Sequence, residues 1–403
     1  MTVSKKGPTY RYGLLQAGYW WDYLIIQSFA AVFLSGRGFT TSQIGIVTAA
    51  GSLLACVLQQ ISGSVADKST SPLKYMVMLF IGICMVCFLG LWFLPQAYLS
   101  TFVFYTVALT LQASLSPLLN ALCLQFSNNG YDINFGIARS LGSAGYASSA
   151  LLMGTVTEKF GAEIILPVYT GVYALLMLIL IFFPVPVKDE TAAVKAGNGL
   201  IEGKPSATLE FIRKYKRFMV LMLGFILIWY NNTMLSTYMI YFLEPMGGTS
   251  ADMGMALSLC AFIEIPAILM GNNMMGRIGA PMMLRISACG AVLKAVMYFI
   301  APNTAVFVGT NALNFLHSGF YQVAAVYYAY SIVGRNDIVK SQTFIGIAVT
   351  GICAMLANYI GGLMIELLPL KMILFAGILI SFAGLIVIVI ATSPKMFKDE
   401  ADA

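Results

Sequence analysis

Apolar runs long enough to cross a lipid bilayer recur from one end of this 403-residue chain to the other. A spanning helix needs about 20 such residues. In hydrocarbon every backbone N–H and C=O must be satisfied within the segment, so runs of this length fold as helices. They divide into twelve, over 12–34, 42–66, 73–94, 98–126, 134–158, 163–184, 217–243, 252–275, 281–301, 304–333, 340–367 and 370–392. The expected class is an all-α integral membrane protein with twelve transmembrane helices in two six-helix repeats. Hydrophobic residues at 59%, charged residues at 10% and a mean hydropathy of +0.83 exclude an ordinary soluble domain.

The connections are short except 185–216. That linker holds Lys188, Lys195, Lys204, Arg213, Lys214 and Lys216. It separates a bundle over 1–184 from a second over 217–403. Basic residues gather on cytoplasmic loops. Lys68, Lys74, the linker, Arg277, Arg285, Arg335 and Lys340 fall on the side of the N-terminus, against Arg37, Lys159 and Lys371 opposite. Both termini are therefore expected in the cytoplasm, in a plasma membrane or bacterial inner membrane. The net charge of +6 follows from those loops and implies no nucleic-acid partner. Lys5, Lys6 and Arg11 lead into a segment too long for a cleaved signal. The seven cysteines lie in apolar segments and indicate neither disulfides nor a metal.

The two halves echo each other. Thr40-Thr41-Ser42-Gln43-Ile44-Gly45 opens the second helix and Thr249-Ser250-Ala251-Asp252-Met253-Gly254 the eighth, 209 residues on. At the same offset Asp22 meets Asn231, and Asp132 precedes Asp337 by 205. Parallel repeats of this kind place a solute path at their interface and open it alternately to each side.

Ionisable residues inside a membrane are functional candidates. This chain offers Asp22, Arg139, Glu264, Lys294 and its one histidine, His317. Arg139 cannot shed its proton, so it faces a bundle interior or a wet cavity, or else snorkels to the headgroups. Ala138, Gly142, Gly145 and Ser149, at helical spacing around it, admit a close neighbouring helix. Glu264 and Lys294 could also form a structural ion pair. Trp20, Tyr146 and Trp229, with the amides Asn120, Asn231, Asn232 and Gln322, suit a polyhydroxylated ligand that has apolar ring faces. No phosphate-binding loop or cofactor motif appears, so transport runs on an ion gradient or downhill.

Gly63-Ser64-Val65-Ala66-Asp67-Lys68 resembles the G-x-x-x-D-[RK] signature between helices 2 and 3 of the major facilitator superfamily, and Gly276-Arg277-Ile278-Gly279 is its weaker echo. Phe135-Gly136-Ile137-Ala138-Arg139-Ser140-Leu141-Gly142 is similar to the F-G-x-A-R-x-x-G of the oligosaccharide/proton symporters of the lactose permease type. The resemblance implies that Arg139 binds the solute, that Tyr146 stands where that family stacks a tryptophan on sugar, and that Glu264 and His317 belong to the same site. It also implies a gating role for Gly63, Asp67 and Lys68. Three positions depart from it: Asn120 replaces the glutamate that pairs the arginine, Lys294 replaces an arginine, and Phe320 replaces the proton-carrying glutamate. Glu264 or Asp22 is then expected to carry the proton, with His317 a third option.

The function expected is a monomeric, non-enzymatic secondary transporter importing a sugar or glycoside with a proton, with Arg139 and Glu264 lining one cavity. It needs no cofactor. Its partners are the solute, the proton and the bilayer. A nucleoside or an aromatic or organic acid is the alternative solute, since Arg139 without its glutamate could hold a carboxylate. A drug/proton antiporter lacks support, there being no proline from Leu118 to Leu166. A non-transporting sensor would have no need of midplane charges.

Overall fold

The computed structural model describes residues 7–68, 72–94, 96–128, 135–183, 208–334 and 337–393. Among them there is no strand. The helices are α1 (Gly7–Ser28), α2 (Ala30–Gly36), α3 (Thr41–Lys68), α4 (Leu73–Phe93), α5 (Tyr98–Asn128), α6 (Phe135–Phe160) and α7 (Ile165–Ile181). There follow α8 (Thr208–Lys214), α9 (Lys216–Leu243), α10 (Ser250–Ile300), α11 (Thr304–Gly309), α12 (Ser318–Ile332), α13 (Ile338–Gly346), α14 (Ala354–Leu367) and α15 (Leu370–Ala391). Among the described residues nine stretches are long and apolar enough to span a membrane. The other three expected spans are helical too, and they fit a count of twelve. They fall outside the nine because α1 and α6 carry polar and small residues and the tenth span is broken.

Three of the expected spans are irregular. The expected first helix, 12–34, is interrupted at Phe29, whose N–H reaches back five residues to the Leu24 carbonyl at 3.4 Å. In the tenth span Asn311 donates its side-chain amide to the Phe307 and Val308 carbonyls, and residues Thr310–Phe315 tighten into a 3₁₀ turn. Side chains that bond the backbone in this way compete with the helical ladder. The eleventh span passes through a π-helical stretch, Ile347–Cys353, between α13 and α14.

The eighth and ninth spans, expected as separate helices, run as one element broken at Gly279, where φ is +74°. Only glycine adopts that backbone at low cost, and Pro281 follows. The chain doubles back there, because both halves of α10 touch the tenth span. Ala267 before the break fills the space beside Gly319, and Gly290 after it abuts Leu316.

Two compact units result. The first is Met1–Gly199 with Gly248–Ser258, and the second is Leu200–Gly247 with Leu259–Ala403. In the first unit α1 lies along α6, and all four small residues expected at the seam (Ala138, Gly142, Gly145, Ser149) are buried. Ser149 Oγ donates to the Trp21 carbonyl at 3.0 Å, and a Cβ on Gly145 would overlap the Ala17 carbonyl. The opening turns of α10 join this unit through a second glycine contact, Gly154 against Gly254.

Basic residues read as orientation signals also close helix ends. Lys74 Nζ donates to the Phe183 carbonyl at 2.8 Å, just past α7. In the second unit Arg285 donates to Thr392 Oγ1 at 2.9 Å and to its carbonyl at 3.2 Å, just past α15. The donors are 211 residues apart in sequence and the acceptors 209, so the repeat extends to its capping contacts. Cations at helix C-termini satisfy orphan carbonyls and meet the negative end of the helix dipole. Arg37, on the opposite side, makes a two-pronged pair with Glu163 at 2.9 and 2.8 Å and caps the Leu91 carbonyl.

Of the expected linker, 208–216 is described and forms α8 with its turn. Phe211 is fully buried there, stacked on Phe344, and Tyr215 donates to Asp337 Oδ2 at 3.0 Å. Lys188, Lys195, Lys204, Asp132 and Arg335 lie outside the described residues.

A stability series would test the α1–α6 seam. Gly145→Ala should cost about 1–3 kcal/mol, the scale of overpacking a tight contact. Gly63→Ala, where a Cβ meets open space, should be neutral or mildly stabilising. Thermal unfolding in detergent reads both.

Candidate functional site

In the first unit a polar ladder climbs α1 at four-residue intervals. Tyr12 donates to the Leu119 carbonyl at 3.0 Å, Gln16 Nε2 to the Tyr12 hydroxyl at 2.6 Å, and Trp20 Nε1 to Gln16 Oε1 at 3.2 Å. The ladder holds the Trp20 indole in place, and the missing Cβ of Gly142 lets that ring come close, since a carbon there would sit 2.6 Å from Trp20 Cδ1. Over the indole lies the Arg139 guanidinium, 4.3 Å from the ring centroid. Arg139 is half-buried and donates to Ser143 Oγ at 3.2 Å. Tyr146, one turn further along α6, meets Trp20 edge-on with centroids 6.5 Å apart, and its hydroxyl lies 3.4 Å from Ser28 Oγ. Asn120 is exposed on α5. A guanidinium stacked on indole directs its N–H donors within its own plane, and a partly exposed cation–π pair contributes about 0.5–1 kcal/mol.

Asp22, two residues beyond Trp20, occupies a different environment. It is 0% exposed, and neither carboxyl oxygen has a hydrogen-bond partner among the described residues. It lies within electrostatic reach of Cys84, Tyr169 and Tyr173, all three fully buried. An ionised carboxylate there would be an uncompensated buried charge.

The second unit has its own cluster. Lys294 is 4% exposed, and its ammonium donates to Asn232 Oδ1 at 2.7 Å and Asn314 Oδ1 at 2.5 Å. Two amides, not Glu264, therefore take the hydrogen bonds of this buried charge. Glu264 is half-buried, and Gln322 Nε2 donates to its Oε2 at 3.1 Å. His317 is 0% exposed, with its ring 4.8 Å from Trp229 and Nδ1 3.4 Å from the Ser287 carbonyl. Asn231 is buried beside Gly377. Phe320, at the position of the expected glutamate's absence, is buried and packs on Phe315.

Each unit thus gathers part of the expected set: Trp20, Arg139 and Tyr146 in the first, Asn232, Lys294, His317 and Trp229 in the second, where Glu264 pairs with Gln322 and lies within electrostatic reach of Lys294. Gln16, Ser143 and Ser381 were missed. Their signals were the 12-16-20 spacing on α1, a serine one turn after Arg139, and a single hydroxyl in the very apolar α15. Of the expected gating motif, Gly63 is half-exposed within α3, which runs on through Asp67 to Lys68 and is not yet a loop at those residues. The side chains of Asp67 and Lys68 lie outside the described set.

A family model matches residues 25–377, almost the whole helical region. The chain belongs to the MFS_1 like family. It is 21% identical over 348 residues to "Uncharacterized transporter YwbF" of Bacillus subtilis (strain 168), covering 85% of this chain and 83% of that one. It is 23% identical over 351 residues to "Probable 3-phenylpropionic acid transporter" of Escherichia coli (strain K12), covering 85% and 88%. Its fold is that of the nucleoside transporter NupG, with a TM-score of 0.77 at 15% identity over 98% of this chain and 100% of that one. It also matches the POT family transporter PepTSo, at a TM-score of 0.72 and 10% identity over 98% and 99%. This MFS_1 like protein is a multi-pass membrane transporter of the major facilitator type, acting on a small-molecule solute, and not an enzyme.

In this transporter the Lys294 charge depends on its two amide acceptors. Replacing Asn314 by Leu should destabilise the protein by about 1.5–3 kcal/mol, the range for a hydrogen bond to a charged group. Asn314→Asp should retain most of the stability, and chemical unfolding of purified protein measures the difference.

Proposed function

We propose that this transporter imports a small aromatic carboxylate together with a proton. The observation that carries the reading is the Arg139 guanidinium stacked 4.3 Å above Trp20 in a half-buried position. The stacking fixes the plane of the guanidinium, so that its N–H donors point along one plane beside the Trp20 ring. A carboxylate accepts from such donors in charge-assisted bonds, and the Trp20 and Tyr146 rings offer an apolar face for the rest of the solute. The name of the E. coli relative supports the same class. A sugar or glycoside is the second reading. It rests on the likeness of Phe135–Gly142 to the oligosaccharide/proton symporters and on the amides and aromatic faces of the site. A nucleoside has only the likeness of fold in its favour.

For proton coupling we assign Glu264 first and Asp22 second. Glu264 is half-buried, accepts from the Gln322 amide and lies within electrostatic reach of Lys294, and its partial exposure lets it exchange a proton with water as its surroundings change. Asp22 is fully enclosed and would reach water only if α1 moved. The expected six-helix halves, over 1–184 and 217–403, would rock about the linker with both termini in the cytoplasm.

Counterflow in proteoliposomes decides the solute class. Labelled 3-phenylpropionate should exchange, and a glycoside and a nucleoside should not. Exchange of a glycoside alone would make the sugar reading the correct one. Arg139→Gln should weaken solute affinity by about 10- to 100-fold, the effect of losing one charge-assisted hydrogen bond. Trp20→Ala should cost about 1–3 kcal/mol of binding. Neither loss should exceed a few-fold if the site lies elsewhere.

Coupling is read separately. Glu264→Gln should abolish uphill uptake and its sensitivity to a protonophore while sparing exchange. If Glu264→Gln still concentrates solute and Asp22→Asn does not, the carrier is Asp22.

A further inference from the structure

In the second unit a cavity of about 10 Å³ lies among α9, α10, α15 and His317, at the break in the middle of the tenth span. Asn231, Asn232, Lys294, Tyr298, His317 and Ser381 supply its polar lining. Three of these carry buried atoms with no hydrogen-bond partner among the described residues: Asn231 Oδ1, His317 Nε2 and Ser381 Oγ. His317 and Ser381 are 0% exposed and Asn231 is 5% exposed. Buried polar atoms of this kind are nearly always satisfied by protein or by ordered water.

We infer that this cavity binds one water molecule, held by Asn231, His317, Ser381 and Lys294. The volume is that of a single water. The chemistry of the lining selects water over an ion. The Ser287 carbonyl facing His317 Nδ1 can only accept, which places the ring proton on Nδ1 and leaves Nε2 an acceptor. Asn231 Oδ1 is an acceptor as well, so the occupant must donate twice, and no halide can. Lys294 already brings one positive charge to the cavity, which opposes a metal cation. A water donates to His317 Nε2 and Asn231 Oδ1, and accepts from the Ser381 hydroxyl. Its second lone pair meets the remaining N–H of Lys294, whose other two bonds go to Asn232 and Asn314. Every orphan atom is then satisfied by one molecule. The bound water joins the seventh, ninth, tenth and twelfth spans, and it makes His317 a positioning residue of the second unit.

His317 is the single histidine of the chain, so its ring nitrogens are the only imidazole signals in protein labelled with ¹⁵N-histidine. In the wild type the ring should be the Nδ1–H tautomer, with Nε2 at the shift of a hydrogen-bonded acceptor. Ser381→Ala leaves room for the water and should preserve that shift. Ser381→Val fills the cavity and should move Nε2 to the value of an unbonded nitrogen. The Nε2–H tautomer, or an unbonded Nε2 in the wild type, overturns the assignment. Loss of the bonded shift in Ser381→Ala also overturns it, because Ser381 itself would then be the donor. An unchanged shift in Ser381→Val does so too, because the donor would lie outside the cavity. Should Ser381→Val fail to fold, the wild type and Ser381→Ala still decide.

Discussion

A polar group carried into hydrocarbon must find its partner inside the protein, because no water is there to replace one. The structure depends on that constraint at every level. It makes the spans helical, and it governs where the helices break. It also decides what the few charged residues of the interior can do. The broken tenth span shows the backbone side of the rule, with the Asn311 amide on the Phe307 and Val308 carbonyls at the place where the ladder tightens. The helix ends show the charged side, with Lys74 and Arg285 closing α7 and α15 in equivalent ways. Topology and stability therefore draw on the same basic residues.

The interior charges divide by how they are compensated. Arg139 rests on an aromatic face and a hydroxyl and remains half-buried. Lys294 is enclosed and spends two of its three N–H groups on amides of its own unit. Asp22 has no partner among the described residues. These are different physical situations: an accessible guanidinium can recognise an anion, whereas an enclosed and satisfied ammonium organises its neighbours. The departures from the lactose permease pattern are consistent with this division. Asn120 is exposed where that pattern has an acidic partner for the arginine, and Phe320 is packed into the core where it has a glutamate.

Membership of the MFS_1 like family settles the class of activity. The solute is a matter of local chemistry, since relatives of one fold include transporters named for phenylpropionate, nucleosides and peptides. A stacked guanidinium beside two aromatic rings is more specific than the fold, and it is the feature on which the functional reading rests.

The sequence by itself determined the helical class, nearly every span, the internal repeat and the family, because hydrophobic length and charge asymmetry are local properties that the bilayer reads directly. It also marked the face of α6 that a neighbour approaches closely: Ala138, Gly142, Gly145 and Ser149 have helical spacing, and small residues permit close approach whatever the partner, which the structure shows to be α1. What only the tertiary structure decided was the partnership of each polar side chain. Lys294 and Glu264 are thirty residues apart and equally plausible as an ion pair, yet Asn232 and Asn314, from two other spans, take the ammonium. Trp20 and Arg139 meet although 119 residues separate them, because a glycine at 142 removes the one carbon that would hold the indole away. Ser381 is one hydroxyl in an apolar helix, and only its neighbours from other spans show the cavity it lines. Periodicity fixes which face of a helix a residue occupies, but the hydrogen bonds of a buried group depend on what another helix brings to that face.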